Sequence, residues 1–174
     1  MEQPTDHLVD KILAPYSEHK AISGYKNHVR RVISFCEDLY SLDEDDREKV
    51  TIAACFHDLG IYTDGTFDYL PPSIELARSY LEGNGLDSWR NEITSMISEH
   101  HSVRQSDRGG LTEAFRKADI IDFSCGLVRK GVARSRVREV RAAFPNEGFH
   151  LNLALVAGRW ICRHPFNPVP VLKW

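Results

Sequence analysis

Apolar residues along this chain recur at spacings of three and four rather than two, a periodicity that predicts an all-α protein. A short first helix covers about residues 8–14. Ser23-Gly24 opens a second, whose stripe is Tyr25, His28, Val29, Val32, Phe35, Cys36 and Leu39. The acidic run Asp43-Glu44-Asp45-Asp46 supplies an N-cap and a dipole-matched first turn for a third helix. That helix passes through Val50, Ile52, Ala53, Ala54 and Phe56 to His57-Asp58, with Gly60 just past its end as a C-terminal glycine. Residues 62–72 contain Thr, Asp, Gly and two prolines and read as a loop over whatever His57-Asp58 builds.

A fourth helix is predicted over 73–81, with Ile74, Ala77 and Leu81 inward, closed by Gly83 or Gly85. Asp87 or Ser88 caps a fifth that puts Ile93, Met96, Ile97 and His100 on one face. Thr112 starts a sixth, in which Phe115, Ala118, Asp119, Asp122 and Phe123 share a stripe. A basic helix follows over 129–141, carrying Arg129, Lys130, Arg134, Arg136, Arg138 and Arg141, unless Gly131 breaks it into a basic turn. Pro145-Asn146-Glu147-Gly148 ends it. The last helix, about 149–162, is expected to bury Leu151, Ala154, Leu155 and Trp160. The tail 165–174 is too rich in proline to continue it. Its Phe, Val, Leu and Trp side chains suit packing on the bundle or on a second subunit, which allows a homodimer.

With 174 residues, the chain suits one domain, large enough to bury a core without disulfides. Its motif-bearing part is about 23–125, followed by C-terminal helices and tail over 126–174. Cys36, Cys55, Cys125 and Cys162 show no C-x-x-C spacing and read as reduced thiols of a cytoplasmic protein. No leader pattern or spanning apolar run appears, so no membrane association is expected. A net charge of −3 gives no general attraction to nucleic acid. No aromatic residue is interleaved between Arg129 and Arg141 to stack on bases, so no nucleic-acid partner is expected.

His57-Asp58 changes this picture, because it places two metal-ligand side chains at the end of an apolar helix. An ionised carboxylate costs several kcal/mol or more to bury unless a cation or dense hydrogen bonding compensates it. His28, His100-His101 and Asp119 lie on predicted helices and supply further donors. Imidazole and carboxylate together suit a divalent transition metal such as Mn, Fe, Co, Ni or Zn, without choosing among them.

The order His28, then His57-Asp58, then Asp119, each on its own helix, resembles the HD-domain superfamily of metal-dependent phosphohydrolases over about residues 28–122. The resemblance rests on His28-Val29-Arg30-Arg31-Val32, on Ala53-Ala54-Cys55-Phe56-His57-Asp58-Leu59-Gly60 and on Ala118-Asp119-Ile120-Ile121-Asp122. It implies a compact multi-helix bundle in which His28, His57, Asp58 and Asp119 hold one divalent metal. The chain departs from the family at two points. Binuclear members carry a further His ahead of the next helix, where this chain reads Asp68-Tyr69-Leu70-Pro71-Pro72-Ser73, although His100 and His101 stand where such members place later histidines. Some nucleotide-cleaving members have a Glu acid/base where this chain has Ile61.

The activity implied is hydrolysis of a small phosphate ester or anhydride, with nucleotides among the candidate substrates. Asp58 or Asp64 would accept the proton of the attacking water, and Arg31, His101 or Lys117 would offset phosphoryl charge. Asp122 reads as an acceptor orienting a ligand His or an Arg. The rival readings are a hydratase or lyase with one metal, a di-iron oxygenase, and a non-catalytic ligand-binding module.

Overall fold

The structure is a computed structural model describing residues 4–102 and 109–171; the end of the predicted tail packing, with Leu172 and Trp174, lies outside these residues. All regular elements among the described residues are helical: α1 (Pro4–Leu13), α2 (Ile22–Leu39), α3 (Glu44–Phe56), α4 (Gly60–Thr63), α5 (Leu70–Gly83), α6 (Arg90–Glu99), α7 (Gly110–Phe123), α8 (Arg134–Ala143) and α9 (Phe149–Arg163). The all-α bundle is therefore as the periodicity predicts. No described helix is long and apolar enough to cross a membrane.

Helix α2 is the axis of the bundle, packed against α1, α3 and α7 and touched by α8 and α9. Its stripe buries Tyr25, Val29, Val32, Phe35 and Cys36 completely, and each large apolar side chain removed from water contributes about 1.5–3 kcal/mol. Helix α3 begins as its acidic run predicts: the Asp43 carboxylate accepts a hydrogen bond from the Asp46 amide at 2.8 Å. From Val50 to Phe56 every residue of α3 is buried, because α1, α2, α5, α6 and α7 surround it. A helix enclosed on all sides shows little amphipathic contrast.

Several local expectations are corrected. Gly60 opens the short helix α4 and is buried. A β-carbon there would stand 2.6 Å from the Tyr69 carbonyl oxygen, so close backbone approach, not a left-handed cap, requires glycine. Helix α5 starts at Leu70 with both prolines in its first turn, where a missing amide hydrogen is no loss. At α6, neither Asp87 nor Ser88 caps: Asp87 begins a 3-10 turn and pairs with Arg90. Phe123 at the end of α7 is exposed.

The basic stretch is helical only from Arg134; Gly131, at φ +107°, lies in the turn before it. On α9 the expected inward face points outward. Leu151 and Leu155 are 65% and 50% exposed, Ala154 is exposed, and Trp160 is only partly covered. The residue that anchors α9 is Phe149, at its first position. The face that does pack carries Leu153 and Val156, partly buried against the core, so the anchoring of Phe149 turns Leu151 and Leu155 outward.

Candidate metal centre

Helices α2, α3, α6 and α7 bring His28, His57, Asp58, His100 and Asp119 to one buried point, all between 0% and 4% exposed. His28 comes from the inward stripe of α2. His57 and Asp58 follow the last turn of α3, His100 follows α6, and Asp119 is in the third turn of α7. In each histidine the ring nitrogen facing away from this point has an acceptor. Nδ1 of His57 donates to the Ala54 carbonyl at 2.8 Å, and Nδ1 of His100 donates to the Ile97 carbonyl at 2.7 Å. Nδ1 of His28 donates to the Asp122 carboxylate at 2.7 Å. Three Nε2 lone pairs are thereby turned inward.

The distances among the inward atoms are those of donors sharing a cation. His28 Nε2 and His57 Nε2 are 2.9 Å apart, and neighbouring donors at metal bonds of about 2.1 Å stand about 3 Å from each other. Asp58 Oδ2 is 3.8 Å from His28 Nε2 and 3.5 Å from His57 Nε2. Asp119 Oδ1 is 3.5 Å and 3.7 Å from the same two nitrogens. His28, His57 and Asp58 form a trio able to hold a metal, and Asp58 belongs to a second trio with His100 and His101. Asp58 Oδ1 and His100 Nε2, 3.4 Å apart, are buried with no hydrogen-bond partner among the described residues. Unsatisfied buried polar atoms are costly, and a cation held beside Asp58 would relieve that cost.

The electrostatics agree. Burial would raise the Asp58 carboxyl, but the imidazoles of His57, His100 and His28 outweigh it and hold it far below the usual range. Asp119 is lowered against burial by the same rings, His57 foremost. Burial would lower His57, yet Asp58 and Asp119 push its pKa up to about 9.

The other residues singled out in the sequence are placed differently. Asp122 takes both roles expected of it, accepting from His28 and, through two bonds of 2.6 and 2.8 Å, from Arg31. The Arg31 guanidinium is 1% exposed and also donates to the carbonyls of Phe144 and Pro145. It stands behind His28, on the side away from the ligand atoms. Lys117 pairs with Glu113 at 3.5 Å and is about one-third exposed. Asp64 is exposed at the end of α4, where its carboxylate accepts from the Thr63 hydroxyl at 2.6 Å. His101 stands beside the cluster, in a trio with Asp58 and His100: burial and its neighbour His100 lower its pKa to about 3, which keeps it neutral.

Two contributors escape the sequence reading. Tyr69 is 1% exposed, and its hydroxyl meets His101 Nε2 at 2.5 Å. The signal was its position in the segment lacking the further His. Phe149 stacks on the His28 ring with centroids 4.1 Å apart and planes at 12°, a contact that no spacing in the sequence announces.

The family model described as HD domain matches residues 25–129. The chain belongs to the HD domain family. Every residue of the convergent cluster lies inside that match, and this superfamily is of the metal-dependent phosphohydrolase type. Comparison with curated proteins and with solved structures gave no match.

Proposed function

We propose that this HD domain protein hydrolyses a small phosphate ester, using one tightly held divalent transition metal with His28, His57, Asp58 and Asp119 as its ligands. The observation that supports this most is the set of inward Nε2 lone pairs, each fixed by a hydrogen bond on the opposite ring nitrogen. Such rings accept a cation without changing tautomer. A cation there would supply Lewis acidity toward a phosphoryl oxygen and lower the pKa of a bound water.

The chain's own groups divide the remaining work. Asp58, whose Oδ1 has no hydrogen-bond donor among the described residues, is the nearest carboxylate to hold and orient the attacking water. The Tyr69 hydroxyl and the neutral His101 ring, joined at 2.5 Å, form a polar pair beside Asp58, whose remaining hydrogen would be donated to the phosphoryl group. Arg31 acts indirectly by fixing Asp122 and hence His28. Lys117 and Asp64 lie at the periphery, one paired with Glu113 and one in solvent, where they contribute field rather than contact.

One observation favours a second, weaker cation. Asp58 is shared by two ligand trios, but the Tyr69 hydroxyl already engages His101 in the second. Elemental analysis of protein purified without chelator should give one equivalent, with a second only at high added metal.

The deciding experiment is phosphate release from a panel of nucleotides, sugar phosphates and aryl phosphates with Mn, Fe, Co, Ni or Zn. Native protein should turn over at least one substrate, Asp58→Ala should lose both metal and turnover, and Tyr69→Phe should keep metal while losing rate. A metal-loaded native protein that releases phosphate from none of them, yet hydrates a small substrate or consumes oxygen, would transfer the site to another reaction class. Ligand binding with no turnover over all five metals would make it a binding module.

A further inference from the structure

On the far side of His28 from the ligand atoms, the turn between α7 and α8 and one face of α8 enclose an open cleft of about 610 Å³. Arg134, Arg138 and Arg141 stand at i, i+4 and i+7 on α8 and so share one face; Arg129 joins them from the turn, and Val137 and Leu127 supply apolar wall. Among the described residues no carboxylate lines the cleft. The contrast with Arg136 is informative: it points elsewhere and is neutralised by Asp38 and Glu139, both at 2.9 Å. Arg129, Arg134 and Arg138 pair with no carboxylate among the described residues. Arg141 has one at arm's length, with Nη1 3.3 Å from Asp122 Oδ1, so the cleft backs onto the carboxylate that orients His28.

We infer that this cleft is a binding site, separate from the metal centre, for the oligophosphate group of a small molecule. Like charges four residues apart destabilise a helix, and a multivalent anion removes that repulsion. Guanidinium forks match phosphate oxygens, two bonds at a time. Three forks without a carboxylate partner, with Arg141 only partly engaged by Asp122, exceed what a single carboxylate or monophosphate can satisfy. The size is that of a small-ligand site. Among the described residues no aromatic side chain lines the cleft for base stacking, which sets a nucleic-acid strand below a small oligophosphate as occupant.

The test uses the full chain and a non-hydrolysable triphosphate bearing a fluorophore, read by anisotropy at trace concentration so that it cannot strip metal. Native protein should bind it saturably. Arg134→Ala with Arg138→Ala should weaken binding at least about tenfold, the loss expected when charge-assisted contacts are removed. Lys11→Ala with Lys20→Ala, which removes the same charge at exposed sites, should leave binding within about twofold and so exclude a general charge effect. Asp58→Ala, which empties the metal centre, should leave the arginine-dependent part of the binding in place. The inference is overturned if native protein does not bind the probe at millimolar protein. Equal loss in the arginine and lysine variants, or loss only in Asp58→Ala, overturns it as well. So does tighter capture of duplex or single-stranded nucleic acid through the same arginines.

Discussion

Asp122 meets two demands with one carboxylate: it fixes the tautomer of His28 and neutralises a buried guanidinium. Burial would raise its pKa, but His28 and Arg31 hold it well below the usual range. Asp122→Asn preserves the shape and removes the charge, so metal affinity should fall by about 10–100-fold in a competition titration. Arg31→Ala leaves Asp122 buried and half-paired, and should destabilise the fold by about 3–5 kcal/mol in denaturant unfolding. His57 gives a pH prediction. With its pKa pushed up to about 9, metal must displace its proton, so apparent affinity should rise about tenfold per unit from pH 7 to 9 and flatten above that. In the metal-free chain the raised pKa stabilises the fold fully below about pH 6.5, and that contribution is lost as pH climbs through 9. Metal-buffered titrations at pH 7, 8, 9 and 10 check the first sign, and melting of chelated protein checks the second. The metal-ligand candidates were legible in the sequence because an ionisable side chain on an apolar stripe is conspicuous. The Tyr69–His101 contact was not, since residues 32 positions apart in sequence meet only through the packing of α5 on α6.

At the level of elements, hydrophobic periodicity located every major helix and failed where a single contact overrides it. Gly60 looked like a helix terminus, yet the backbone of Tyr69 lies against it. Pro71 and Pro72 looked like loop, although the first turn of a helix accepts proline. Helix α9 is the sharpest case. Replacing Phe149 by Ala should cost about 3–5 kcal/mol, as for other fully buried aromatics, and should loosen His28. Leu151→Gln with Leu155→Gln should change stability by less than about 1 kcal/mol at low protein concentration, each substitution being a surface one. Urea unfolding of the two variants side by side checks the assignment, and a reversed order would return the inward face to these leucines.

For the whole molecule, the matched family segment ends at residue 129, whereas the supports of the metal centre do not. The carbonyls that hold Arg31 belong to Phe144 and Pro145, and the ring stacked on His28 belongs to Phe149. A chain cut after residue 129 would still contain every ligand candidate. It should nevertheless lose metal on gel filtration, with broadened imidazole resonances for His28, while the intact chain retains it. Retention by the shortened chain would show that α8 and α9 are accessories. The donors all fall within the matched segment, but the clamp that aims the first of them comes from beyond it, so a boundary drawn by the match alone would cut the site from its own support.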